Sequence, residues 1–165
     1  SMYLSMLKNA VNDLKGIKTE IALDSEINFN DRALIPTEYM PVANERLKVY
    51  RALNDASNET EINLILSDLM DRCGKPSLDV LNLVENSKLR ILANNIGIKK
   101  IYSDKENALL TFYNSLSDEV YRKLIAMIQT SSNKIKLIDE NKLSIDMAAY
   151  ENKREALSSL LHELS

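Results

Sequence analysis

The sequence has little of what catalytic and ligand-gripping proteins usually rely on. Among its 165 residues there is no tryptophan, one cysteine, one histidine, three glycines and three prolines. The lone Cys73 cannot close an internal disulfide, which suits a reducing, cytoplasmic setting. Gly16, Gly74 and Gly97 stand apart, so no Gly-rich phosphate cradle exists. Gly74-Lys75-Pro76 lacks the upstream Gly and the Ser/Thr of a Walker loop, and reads as a helix stop with its turn. His162 sits in a closing helix with no acid, base or metal partner signalled near it, as expected of a surface histidine. Cys73 is spaced with Leu66, Leu69 and Met70, the pattern of a structural thiol rather than a nucleophile. No catalytic, cofactor-binding or metal-ligating set emerges, and neither a cofactor nor a small-molecule ligand is expected. No apolar run approaches the ~20 residues that span a bilayer, and no signal peptide is visible, so no membrane partner is expected. The net charge is -3 and aromatics make up only 5% of the chain, both unlike a nucleic-acid-gripping surface.

What is present is patterned for one ordered domain. The hydrophobic fraction is 45% and the charged fraction 27%, enough to bury a core without disorder. Ser1 ahead of Met2 reads as a cloning remnant, and the chain as a cut from a longer protein. Tyr3, Leu4, Leu7, Val11 and Leu14 recur at helical spacing, with Gly16 as a stop. Residues 1–20 are therefore expected to form a helix leading into a domain spanning 21–165. Ile21 to Leu34 alternates loosely and predicts an edge strand ended before Pro36. Asn44 to Leu53 predicts a short helix with Leu47, Tyr50 and Leu53 on one side. Asn58 or Thr60 can cap a second helix ending near Gly74, and Ser77 a third running to Gly97. That third helix is apolar on several sides (Leu78, Val80, Leu81, Val84, Leu89, Ile91, Leu92, Ile96), the mark of a buried centre. Ile98 to Tyr113 predicts a hairpin turning at Ser103–Asn107, and Ser117 opens a further helix. Ile135-Lys136-Leu137 and Leu143–Met147 predict a second hairpin, and a last helix carries Ala156, Leu157, Leu160, Leu161 and Leu164. Helices and hairpins in blocks give an α+β class: several helices around a long buried central helix, with short antiparallel hairpins.

Two surface features are candidates for function. On the second helix Ile62, Ile65, Leu66, Leu69, Met70 and Cys73 form an apolar stripe. At 100° per residue Leu64, Asp68 and Asp71 gather on the opposite side, with Glu61 close by. A leucine ringed by acids suits a docking surface for an Arg-rich partner, or else a merely solvated face. Lys88, Arg90, Lys99 and Lys100 form a mild basic zone that could touch nucleic acid or simply face water.

The order and spacing of several motifs add a resemblance. Ile35-Pro36-Thr37-Glu38-Tyr39-Met40-Pro41 precedes Glu45-Arg46-Leu47-Lys48-Val49-Tyr50-Arg51-Ala52-Leu53. Leu69-Met70-Asp71-Arg72-Cys73-Gly74, Lys88-Leu89-Arg90-Ile91-Leu92-Ala93 and Ile96-Gly97-Ile98-Lys99-Lys100-Ile101 follow. Together they resemble the C-terminal domain of the bacterial transcription-repair coupling factor, strongest from about Ala33 to Ile101. The chain departs from that pattern at Val42, where the family has an aspartate and the cap would fall to Asn44, at Cys73 for a phenylalanine and at Asn94 for a basic residue. The resemblance implies a non-catalytic regulatory tail of an ATP-dependent DNA translocase that binds RNA polymerase, the excision-repair protein UvrA and duplex DNA. It implies autoinhibition, by docking on the parent's own UvrA-binding module to mask it. The family's acidic contact positions fall on Asp68 and Asp71, the face already marked by the helical wheel.

Overall fold

The computed structural model describes residues 24–114 and 116–165. The helix expected over Tyr3–Leu14 lies outside the described residues. Among the described residues five helices and one five-stranded sheet follow in the order β1 (Glu26–Asn28), α1 (Ala43–Asp55), α2 (Glu59–Cys73), α3 (Leu78–Ile96), β2 (Ile98–Ser103), β3 (Asn107–Phe112), α4 (Asp118–Thr130), β4 (Ile135–Asp139), β5 (Lys142–Asp146) and α5 (Lys153–Leu164). The class is α+β, as expected.

Both hairpins form where their polar turns predict. Asp104 makes the first turn: its carboxylate accepts the N–H groups of Glu106 and Asn107, each at 2.8 Å. Those bonds, the Asn107 one first, hold its pKa below the ordinary aspartate value. The stabilisation is present above the unfolded carboxyl's pKa and is lost as pH falls through the lower folded one. The hairpins join into a single sheet of order β1-β2-β3-β5-β4. Its one parallel pair is β1 on β2, with Ile27 opposite Ile101. The expected edge strand is therefore real but only three residues long, since Asn30 turns the chain at φ 57°.

α3 runs through two cores. Val80 and Val84 pack with Ile35, Met40, Val49, Leu53, Ile62 and Leu69 of the α1–α2 half. Leu89, Ala93 and Ile96, further along the same helix, pack with Ile98, Ile101, Leu110, Leu143, Leu157 and Leu161 of the sheet and α5. The central position read from its apolar pattern is correct, with two changes. Leu78 and Leu81 are 70% and 39% exposed, because they lie on the side of α3 turned away from the buried Val80 and Val84, and Leu92 is only half-buried. Cross-links hold the halves together. Arg154 of α5 binds Asp31 through two 2.7 Å contacts and Asn86 of α3 at 2.8 Å, and lies 4.4 Å over the ring of Phe29. Stacking of this kind adds about 0.5–2 kcal/mol.

The caps differ in part from expectation. Asn58 caps α2 and Ser117 caps α4 with side-chain bonds. Ser77 precedes α3 without such a bond. Val42, not Asn44, is the first flanking residue of α1, and it has no side-chain cap. Arg46 instead reaches back to the carbonyls of Met40 and Pro41 at 2.7 and 2.9 Å, holding the Pro-bounded turn against the helix. Leu47 is 45% exposed, so the buried side of α1 is Val49 and Leu53.

Leu89 is 1% exposed at the point where α3 crosses from one core to the other. Leu89→Ala is expected to cost about 2–5 kcal/mol in chemical denaturation, and Leu92→Ala less. Equal losses would mean that α3 is rotated from the orientation described.

Candidate docking face

α2 is held at both ends. At its start the Asn58 side chain accepts the Glu61 N–H at 2.9 Å, while the Glu61 carboxylate accepts the Ser57 N–H at 2.8 Å. The first bond satisfies an orphan helix donor, and the second ties the residue before the cap to the first turn, a capping box shifted by one residue. Glu61 is thereby committed to the cap and does not join the acidic face expected of it. At the other end Gly74 adopts φ 83°, a conformation that other residues rarely take, and stops the helix. Tyr39 donates to the Gly74 carbonyl at 2.7 Å and also lies 3.3 Å from that of Leu69. Burial, followed by the neighbouring Cys73, pushes the Tyr39 hydroxyl's pKa up, so it stays a donor.

Between these anchors Ile62 and Leu69 are buried, and Ile65, Leu66 and Cys73 pack half-buried against them. Met70, placed on the apolar stripe by its spacing, is 47% exposed, because it sits at the edge of the 100° sector that α1 and α3 cover. On the far side Leu64 is 65% exposed, and Asp68 and Asp71 are exposed with it. The structure thus brings together the three residues selected from the sequence. One detail is new: Asp68 pairs along the helix with Arg72, Oδ2 to Nη2 at 3.0 Å. Asp71 has no ion-pair partner among the described residues. An incoming guanidinium would find Asp71 open and would compete with Arg72 for Asp68. Such exposed pairs along a helix are worth only about 0.3–0.5 kcal/mol, so the competition is easily won.

The basic zone does not converge. Lys88 is drawn to Glu85 at 3.4 Å and Glu59 at 3.7 Å, with its side chain 19% exposed. Arg90 donates to the Leu53 and Ala56 carbonyls at 3.0 and 3.2 Å, closing the C-terminal end of α1. Only Lys99 and Lys100 face solvent, side by side where an irregularity between Ile98 and Lys100 breaks the β2 alternation. His162 is exposed, with its Nδ1 2.7 Å from the Ser158 carbonyl oxygen of its own helix. Among the described residues no group of three or more His, Cys, Asp or Glu could hold a metal ion, and no helix is long and apolar enough to cross a membrane.

The sequence pattern of the TRCF domain matches residues 29–123, more than half of the chain and all of α1, α2, α3 and the first hairpin. The chain belongs to the TRCF domain family. It is 32% identical over 131 residues to the transcription-repair-coupling factor of Buchnera aphidicola, covering 75% of this chain and 16% of that protein. It is 31% identical over 126 residues to that of Helicobacter pylori strain J99, covering 76% and 12%. To that of Escherichia coli it is 27% identical over 117 residues, covering 68% and 10%. The chain therefore spans between a tenth and a sixth of the length of these relatives. Its fold is that of the crystal structure of the C-terminal domain of a transcription-repair coupling factor, with a TM-score of 0.64 at 16% identity over 86% of this chain and 88% of that one. The resemblance read from the motifs thus holds.

The exposure of Leu64 and the burial of Leu69, five residues apart on one helix, make a direct contrast. Leu64→Ala is expected to change stability by less than about 0.5 kcal/mol, and Leu69→Ala to cost about 2–5 kcal/mol. Denaturation curves showing comparable losses would place the acidic face in the core.

Proposed function

We propose that this TRCF domain is the regulatory C-terminal part of a transcription-repair coupling factor, and that it restrains its parent by docking on the parent's UvrA-binding module. Residues 1–20 would lead out of the translocase core and residues 21–165 would form the regulatory domain. The parent would bind RNA polymerase, UvrA and duplex DNA; this part would be non-catalytic. The observation that carries the reading is the Leu64, Asp68 and Asp71 face, exposed on a helix fixed at both ends. A rigid helix loses little entropy on docking, an apolar residue at the centre of a contact excludes water, and carboxylates beside it select arginine.

Such an interface has to release. Contacts between domains of one chain are modest and polar, and a closed state favoured by a few kcal/mol keeps the recruitment surface mostly hidden. Engagement of polymerase and DNA would favour the open state. A nucleic-acid role through the basic zone is less well supported, since Lys88 and Arg90 are spent on Glu59, Glu85 and the end of α1.

Asp68→Ala with Asp71→Ala should leave the fold intact and open the parent. Loss of a buried charge partner costs about 2–5 kcal/mol, enough to turn a mostly closed population mostly open. UvrA capture by the doubly substituted full-length parent is expected to exceed that by wild type, with circular dichroism confirming the fold. Equal capture by two folded proteins would reduce this face to a solvated one.

A further inference from the structure

β4 is an edge of the sheet, bonded to β5 alone. Edge strands are usually kept short, as the three-residue β1 is at the other side. β4 has five residues, of which only Ile135 is buried, while Leu137 and Ile138 are 48% and 59% exposed. In an antiparallel ladder alternate residues turn their N–H and C=O to the partner strand. The Asp146 N–H donates to the Lys134 carbonyl at 2.8 Å, and Lys136 stands opposite Ser144 in the same register. Up to the irregularity after Leu137, the even-numbered Lys134 and Lys136 therefore face β5 and the odd-numbered Ile135 and Leu137 face outward. Ile135 shows the outward set: its N–H donates to Ser131 Oγ at 3.1 Å and its carbonyl accepts from the same hydroxyl at 3.4 Å, so that position is satisfied within the chain. Leu137 is the next in that set, and its amide faces the open edge.

Beside Leu137 lies a groove of about 420 Å³, walled by Leu116, Tyr121 and Ile125 and flanked by Asp118 and Glu140. Tyr121 is 55% exposed. Charge changes sign along the strand: Lys134 and Lys136 stand at its start, and Asp139 and Glu140 at its end. Among the described residues Lys134, Lys136, Asp118 and Glu140 make no ion pair, while Asp139 reaches Lys142 at 3.9 Å.

We infer that this edge pairs with a second copy of the same chain, β4 against β4 in antiparallel order about Leu137. The polarity of the strand decides the partner. Antiparallel copies bring the basic start of each strand to the acidic end of the other, and a register centred on Leu137 sets Lys136 opposite Ile138 rather than opposite another lysine. Leu137 meets its own copy with both outward backbone groups exchanged, and each groove receives the flank of the neighbouring strand. The irregularity after Leu137 ends the ladder early, so the contact is short and the dimer forms in a concentration-dependent way. α2 belongs to the other core, so pairing leaves the Leu64 face uncovered.

Sedimentation equilibrium of the 165-residue chain tests the inference together with two exposed charge reversals, Lys134→Glu and Glu140→Lys. Wild type is expected to dimerise as concentration rises. Each single reversal should weaken the dimer by at least about tenfold, because like charges then meet across the axis. The double variant, and an equimolar mixture of the two singles, should recover wild-type association. In a dilution series by nuclear magnetic resonance the Leu137 amide should shift with concentration while α2 amides do not. A wild-type chain that stays monomeric at millimolar concentration would overturn the inference. So would a dimer indifferent to the reversals, or one whose concentration-dependent shifts fall away from β4.

Discussion

The burial of α3 on two sides is the interaction on which the rest of this domain depends. A 19-residue helix is long enough to serve two cores in succession, and its apolar residues are arranged to do so. Val80 and Val84 close the helical half, while Leu89, Ala93 and Ile96 close the sheet half. Ser87, buried between the two sets, returns its hydroxyl to the Leu83 carbonyl at 3.1 Å, so the helix passes the junction without an unsatisfied group. Deleting one large side chain from such a helix damages both halves, since neither has an independent core of ordinary size.

From that constraint follows the rigidity of α2. The helix packs on α1 and α3, and its ends are pinned by the Asn58–Glu61 cap and by Tyr39. Its outward side is then free to carry residues that contribute nothing to folding. Leu64, 65% exposed, and Asp71 are such residues, and the docking face proposed above is built on them. The same division of labour separates the two proposed surfaces: the acidic face lies on the helical half, and the open β4 edge on the sheet half.

Much of this was legible in the sequence, where local chemistry was strong. The Ser103–Asn107 and Asp139–Lys142 turns, the Asn58 and Ser117 caps and the opposition of Leu64 to Leu69 all follow from short-range rules. What was hidden depends on contacts distant in sequence. The parallel addition of β1 to β2 joins Ile27 to Ile101, and no local pattern announces it. Lys88 and Arg90 looked like a basic patch because their partners, Glu59 and the end of α1, are brought in only by packing. Leu78 and Met70 fit an apolar pattern yet lie on sides of their helices that no neighbour covers. Arg154 carried no signal at all, although it ties α5 to Asp31 and Asn86.

Native-state hydrogen exchange tests the central claim, that one helix makes the two cores a single cooperative unit, more directly than any substitution. The slowest amides of α2, of α3 on both sides of Ser87, and of β2 and β3 should all exchange with the same free energy of opening, equal to that of global unfolding. If α2 and the first half of α3 opened well below that limit while the sheet stayed protected, the cores would be separate units. α2 would then not be the rigid platform described.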